Sequence, residues 1–582
     1  MTTMMTMISE RQQQQQQPTP PAAMRAAGGT VVGRAPSASK VSASKTSGVI
    51  PPVDVDRVDQ QLSKAMRTLS FKDRLAVQEE IHGVRDLNAD FEEPLGDEEE
   101  TKEFLHSKLQ ELQVEIDKIP NEQKKSYIDS QSIHVVATAA TAIIDASNDN
   151  KKNGGINNSF VNGVDFRLRF LRADLFDAKR AATRLVNFLD FARELFGDFV
   201  LRRPVKITDL SKEEMDLLRC GNAQLCPFPD RTGRRVIAYI GDFGITNYSL
   251  HLRARMSVYC LWVASESVEV QRKGCVIVAW PTLSILQRIP PMDEHIVGGK
   301  VVDTAPVRMT SIHFCISFPE YRTMFKLMRA IVITAFSSYK VRFMFHTGTA
   351  TVCKYELMTY GLPVEVFPMT ETGNIKTKNQ QLWLKARREI ESYEHKHGRP
   401  AIDPGLPGYN TTNTDTDVAG STLTKSTAKA QTKNIGVDDR PIECPRLDDV
   451  CFRYGMSYQW HRGNARFREL LESHMVDHDD AVSNDEKVAV THEILDELDK
   501  TNCRFLSWDR QGWWYEITER NAKRIKIAVA MKEHKKRIQA RQNCQQSNSS
   551  TTKFSLSMDG KKRKRDKTEG GHGGGPLASC FL

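Results

Sequence analysis

Arg322, Lys326 and Arg329 recur at helical spacing within residues 320 to 337. At about 100° per residue the three cations fall within about 60° of one another, while Met324, Phe325, Leu327, Met328, Ile331, Val332 and Ala335 take the opposite side. A helix so divided has a basic face and a wide, soft apolar one. Two roles fit it. It is either an amphipathic crossover packed on a sheet, or a cover for an apolar cavity that lies on an anionic bilayer when open. Methionine and phenylalanine repack at little cost, and cations meet lipid phosphates.

The segments on either side of this helix read as strands. In SIHFCISF (311 to 318), Ile312, Phe314 and Ile316 alternate with His313 and Cys315; in KVRFMFH (340 to 346), Val341, Phe343 and Phe345 alternate with Arg342, Met344 and His346. One face of each strand suits the wall of an apolar cavity and the other suits packed core, and alternation does not say which is which. An apolar wall holds a hydrophobic molecule by burial alone, at about 25 cal/mol per Å². Choice of a head group needs polar side chains, for which His313, Arg342 and His346 are candidates, together with Arg322, Lys326 and Arg329 for membrane contact. A single histidine in such a strand is more commonly a hydrogen-bonded core residue.

Other chemistry finds little support. Phosphate loops, a G-x-S-x-G nucleophile elbow, H-E-x-x-H and the kinase phrases are absent. His474 and His478 stand four apart beside Asp477, Asp479 and Asp480, but no third and fourth ligand is fixed by spacing, so a solvated acidic helix end explains them. No two of the eleven cysteines have C-x-x-C spacing, so the thiols read as reduced, in cytosol or nucleus. The chain is expected to have no catalytic residues, no metal and no cofactor other than a bound hydrophobic ligand.

These residues must be positioned by a chain of 582 residues, 40% hydrophobic and 27% charged, with net charge +9. That composition is ordinarily globular, and no run approaches the ~18 apolar residues of a spanning helix. Residues 1–60, with six glutamines from Gln12 to Gln17, are expected to be a disordered tail. Residues 61–200 read as helical, with a hairpin of helices in FLRADLFDAKRAATRLVNFLDFARELFG (Phe170 to Gly197) and Asp174 and Asp177 as candidate caps. From 204 to 370, strands alternate with helices: Arg234 to Phe243, a long helix from Tyr248 to Lys273, Gly274 to Trp280, then the segments above and a helix from Ala350 to Tyr360. That order predicts an α/β fold, a mainly parallel sheet with helical crossovers. Residues 371–440 read as a helix end and linker, 441–541 as a small α+β unit holding four of the seven tryptophans, and 542–582 as a basic tail.

Three pieces of the central block resemble the CRAL-TRIO family of cytosolic proteins that bind and transfer single hydrophobic molecules. FLRADLFDAKRAATRLV resembles its N-terminal helical domain, PFPDRTGRRVIAYIGDF (Pro227 to Phe243) the entry into its first sheet strand, and Val307 to Gly348 its strand, gate helix and next strand. The resemblance covers roughly 160 to 370. It implies a lipid pocket in which the 320 to 337 helix is the gate, with Ile312, Phe314, Ile316, Phe343 and Phe345 in the wall. The lysine and glutamate that phosphoinositide-transfer members use have no matched counterpart, and Trp280 to Pro291 and the Gly298-Gly299 loop depart from the family wording.

CFRYGMSYQWHRGNARFRELLESH (Cys451 to His474) with CRFLSWDRQGWWYEI (Cys503 to Ile517) resembles an uncharacterised domain recurring in microalgal proteins. Tyr454 and Cys503 stand where that pattern prefers Gly-Arg and Gly. The charge here is polarised: Leu471 to Lys500 carries ten acidic and two basic residues, Arg520 to Arg541 nine basic and one acidic. Either these two regions pair with each other, or helix, helix, hairpin and basic helix form a winged-helix-like reader. In the second case Lys523, Arg524, Lys526, Lys535, Lys536 and Arg537 contact phosphates. Trp513, Trp514 and Phe505 read as core. Lys561, Lys562, Arg563, Lys564 and Arg565 suit nuclear import or an anionic membrane equally. The combined expectation is a non-catalytic protein that binds, transfers or senses one lipid, cytoplasmic and peripheral to membranes, with an unknown protein partner for 441–541. The alternative is a nuclear, DNA-associated regulator that uses that unit, with the lipid fold as a ligand sensor.

Overall fold

The computed structural model describes residues 58–83, 100–132, 159–245, 247–288, 292–318, 320, 322–364, 367–370, 372–397, 437–453, 461–501 and 503–552. A five-stranded sheet organises the larger part, in the order β1 (Ala223–Pro229), β2 (Arg235–Gly241), β3 (Cys275–Pro281), β4 (Met309–Ile316), β5 (Phe343–Thr347). β1 and β2 form an antiparallel hairpin; β2 to β5 are parallel and joined by helices. This is the mixed α/β fold with a mostly parallel sheet that the strand and helix order predicts.

Register gives the sheet two unlike faces. Ile277, Ile312 and Phe343 are lateral neighbours, as are Ala279, Phe314 and Phe345. This face packs under helices Leu250–Ala264, Met292–Thr304 and Arg322–Ala335, continuous with the core of the N-terminal helices. Val236, Ala238, Val276, Val278 and Cys315 line the opposite face, under helix Ala350–Thr359 and the Leu362 to Met369 segment.

Local signals account for most helix ends. Asp177 caps the helix Ala178–Phe196 by accepting the Arg180 amide at 3.0 Å, whereas Asp174 closes the preceding helix, Val164–Ala173, and pairs with Arg184. The expected 248 to 273 helix is two helices, Leu250–Ala264 and Val268–Lys273, because the Ser265 hydroxyl turns back to the Trp262 carbonyl and Gln271 donates to the Ser265 carbonyl. The expected strand start at 340 is a 3₁₀ turn, Ser337–Arg342. Gly298 and Gly299 lie within a helix rather than a loop.

A second, four-stranded sheet follows, in the order β6 (Val437–Ile442), β9 (Trp514–Ile517), β8 (Phe505–Trp508), β7 (Val450–Phe452). β6 begins inside the span read as linker, and sequence periodicity missed both it and the three-residue β7. One face carries Phe467, Leu471, Ile494, Phe505, Ile527 and Met531; the other packs Cys451, Leu506 and Trp514 on Phe228 of β1. Among the described residues, no helix is long and apolar enough to cross a membrane.

Candidate functional site

A cavity of about 220 Å³ lies between the first sheet and the helix Arg322–Ala335. Its floor is Tyr239, Ile277, Ala279, Ile312, Phe314 and Phe343; Met328, Val332 and Phe336 roof it; Val297, Gly298, Val301 and Val302 close one side. Thus the Ile312 and Phe314 face of β4 is the cavity face, a choice that alternation leaves open. It is settled by the side of the sheet to which the 322–335 crossover returns.

Expected wall and cover residues separate into two groups. Met328, Val332, Ile312, Phe314 and Phe343 line the cavity. Ile331 and Ile316 are buried, Leu327 and Ala335 half-buried, and none of these four borders it. Phe325 and Phe345 meet edge-on at 5.9 Å and extend an aromatic row through Phe343 to Phe336. The side chains of Arg322 and Met324 lie outside the described residues. Lys326 is exposed, and Arg329 lies over the Phe345 ring at 5.6 Å.

Polar groups enter the cavity at one place, which the sequence reading missed. Arg253 donates to Glu294 at 2.9 Å, with Ser257, Tyr239 and His295 beside the pair. Burial pushes the Tyr239 hydroxyl's pKa up, and the Ser257 hydroxyl bonds to it. The available signal was the pair of cations Arg253 and Arg255 in the helical run LHLRARMSVYCLWVA, where no acidic residue stands within a turn to pair with either. Phe243 lines the same region at φ 54, held by a turn in which Asp242 accepts the Gly244 and Asn222 N–H groups. A non-glycine residue there costs about 1–3 kcal/mol, which the surrounding packing must offset.

The side of the cavity is also shaped by absent side chains. A Cβ on Gly299 would stand 2.5 Å from the Ala335 carbonyl oxygen, and one on Gly298 would stand 3.1 Å from the Phe336 ring. Gly299 lets the 292–304 and 322–335 helices touch backbone to backbone, and Gly298 makes room for the Phe336 ring.

Three head-group candidates lie elsewhere. Arg342, together with Arg308, is engaged by the Glu80 carboxylate from helix Phe71–His82, and Arg342 also donates to the Thr310 carbonyl at 2.9 Å. His313 and His346 occupy the face opposite the cavity, 2.9 Å apart from Nδ1 to Nε2. His313 Nε2 reaches the Ser311 hydroxyl at 3.1 Å and His346 Nδ1 reaches Glu356 at 2.8 Å. One proton order satisfies every member with both rings neutral: Ser311 donates to His313, His313 to His346, His346 to Glu356. Burial, then the neighbouring His346, holds the His313 pKa well below that of a free imidazole.

In the C-terminal part the acidic and basic regions pair. Arg520 bridges Asp496 and Asp499, Lys523 approaches Asp499 at 3.7 Å, and Lys535 bonds Asp479 at 2.6 Å. Lys526 lies over Phe452, Arg524 bonds Asn521, and Arg537 approaches Glu533 at 3.8 Å, leaving Lys536 exposed on the same helix. His474 bonds Glu497 at 3.1 Å, and no metal-holding cluster occurs among the described residues. Phe505, Trp513 and Trp514 are buried. Lys561 to Arg565 fall outside the described residues.

Residues 449–533 match the family model "Domain of unknown function (DUF6824)". A stretch of 152 residues is 31% identical to the "Alpha-tocopherol transfer protein-like" protein of Mus musculus, covering 25% of this chain and 42% of that protein. The chain therefore spans less than half the length of that relative.

Proposed function

We propose that this chain binds one lipid or similar hydrophobic molecule, without chemical turnover, in the cavity beneath the Arg322–Ala335 helix. The observation that carries the reading is the apolar cavity itself, floored by β2 to β5 and roofed by the most amphipathic crossover helix of the sheet. Likeness over 152 residues to a protein named for tocopherol transfer supports the same ligand class.

The volume of about 220 Å³ lies below the ~300–1,000 Å³ usual for small-molecule sites, so a lipid-sized ligand requires the roof to lift. Met328 and Phe336 can repack to follow it. The ligand's apolar body is held by burial at ~25 cal/mol per Å², while its polar end meets Arg253, Glu294 and Tyr239. The exposed Lys326 faces anionic lipid when the cover opens, and the proposed location is the cytoplasm, peripheral to membranes. Transfer and sensing both follow from one reversible loading step.

Native mass spectrometry of the purified chain, with lipid extraction, tests this. Wild type is expected to carry about one lipid. Ala279→Phe, which fills the floor, and Met328→Asp with Val332→Asp, which charges the roof, are expected to carry none. An empty wild type, or unchanged loading in the folded variants, refutes the reading.

A further inference from the structure

The cover is held from outside as well as from below. Helix Val58–Thr68 sets Val58, Leu62, Ala65 and Met66 within about 100° of arc, an apolar stripe, with Gln60, Lys64 and Arg67 exposed on the other side. It lies against the 322–335 helix and against the 337–342 turn that follows. Val58 is buried, and Leu62 packs on the same apolar cluster as Ala330 and Ile333 of the cover, neither of which borders the cavity. Lys326 and Ile333 point within about 20° of each other on their helix, yet Lys326 is exposed and Ile333 is buried. The outward side of the cover is therefore wet near its start and dry near its end, beside the turn that the 58–68 helix also touches.

The next helix ties this one to the sheet. Only Leu69 and Ser70 separate the 58–68 helix from Phe71–His82, whose C-terminal end is gripped by arginines. The Glu80 carboxylate engages Arg308, just before β4, and Arg342, just before β5; Arg234, just before β2, donates to the Glu80 carbonyl. Arg231 donates to the His82 carbonyl at 2.6 Å and the Gly83 carbonyl at 2.8 Å, and the His82 ring stacks on Tyr360 at 4.8 Å. Cations placed there satisfy the open carbonyls and the dipole of a helix C-terminus. A two-residue link spans at most about 7 Å, so the 58–68 helix cannot follow the cover far while the 71–82 helix stays on the sheet.

We propose that residues 58–83 are a strap that holds the cover down, so that release of the 58–68 helix sets the rate of ligand exchange. Opening then takes two steps: the 58–68 helix leaves the outward side, and the roof lifts. The sheet end of the strap is ionic and buried at Glu80, whereas Leu62, Ala65 and Met66 at the cover end are only half-buried, so the cover end parts first. For what the cover guards, the inference rests on the lipid reading; the contact itself does not.

Hydrogen exchange read by mass spectrometry on the full chain tests the contact. Leu62→Lys with Met66→Lys, which charges the stripe, should exchange the 322–335 amides about tenfold faster than wild type, the worth of one half-buried leucine, and leave β2 to β4 unchanged. Lys64→Ala, on the exposed side, should keep wild-type rates. Stopped-flow release of a preloaded fluorescent fatty acid should quicken by a similar factor in the double variant, with lipid stoichiometry in native mass spectrometry unchanged. Should the double variant not fold, Leu62→Ala, which only trims the contact, decides by the same readouts. Wild-type exchange at 322–335 in the folded variant overturns the proposal; so does acceleration spread equally over β2 to β4, or faster exchange with unchanged release. An empty wild type refutes the lipid reading alone, and amide exchange still decides the strap.

Discussion

Gly299→Ala should pry the cover away from its neighbouring helix. The added Cβ would lie 2.5 Å from the Ala335 carbonyl oxygen, and ordinary contact begins at 3.4 Å, so the backbone at the end of the 322–335 helix must retreat by about 0.9 Å. Overpacking of this kind costs about 1–3 kcal/mol. Alanine also favours a helix interior over glycine by about 0.5–1 kcal/mol, which would mask part of the loss. Gly298→Ala supplies the control, since it carries the same helix preference but meets only the tip of the Phe336 ring, at 3.1 Å. The preference cancels in the comparison. Urea melts followed by tryptophan fluorescence should find Gly299→Ala less stable than Gly298→Ala by about 1–3 kcal/mol. Stopped-flow release of a fluorescent fatty acid should be faster from Gly299→Ala. Equal stability of the two variants would refute the backbone contact; lower stability with unchanged release would refute the idea that this contact holds the cover shut.

Other consequences follow from buried charges. Glu80→Gln leaves Arg308 and Arg342 facing each other without their shared carboxylate and should cost about 3–5 kcal/mol in a urea melt. Asp449→Asn, next to Arg504 in a carboxylate site only 2% exposed, should lose a similar amount, whereas Lys535→Ala, an exposed pair with Asp479, should lose under about 1 kcal/mol. Because burial depresses both His313 and His346, the unfolded chain takes up protons first on acidification. Their contribution is therefore complete above the ordinary imidazole pKa of 6.5 and is lost as pH falls through it. Melts at neutral and mildly acidic pH should show this loss in wild type and a smaller one in His313→Gln.

The order of elements was legible because periodicity is local. Short apolar runs at β2 and β3, alternation at β4 and β5, helical spacing at Ala178–Phe196 and Arg322–Ala335, and the Asp177 cap each depend on neighbours a few residues away. The break at Ser265 was not legible, since it rests on hydroxyl and amide bonds that periodicity does not register. β7, three residues long, is too short to show a period. The amphipathic character of the cover and the charge polarity of the C-terminal helices were likewise written in the chain.

Tertiary structure decided what those features face. A strand's alternation defines two faces of equal standing, and only the side to which each crossover helix returns makes Ile312 and Phe314 a cavity wall and His313 and His346 a buried chain on the other. Partners distant in sequence decided the rest. Arg342 is held by Glu80, Arg253 by Glu294, and Arg235 stands 3.7 Å from Glu443 across more than two hundred residues of chain. Sequence lays down which charges exist; burial and distance, which exist only after folding, determine which of them pair.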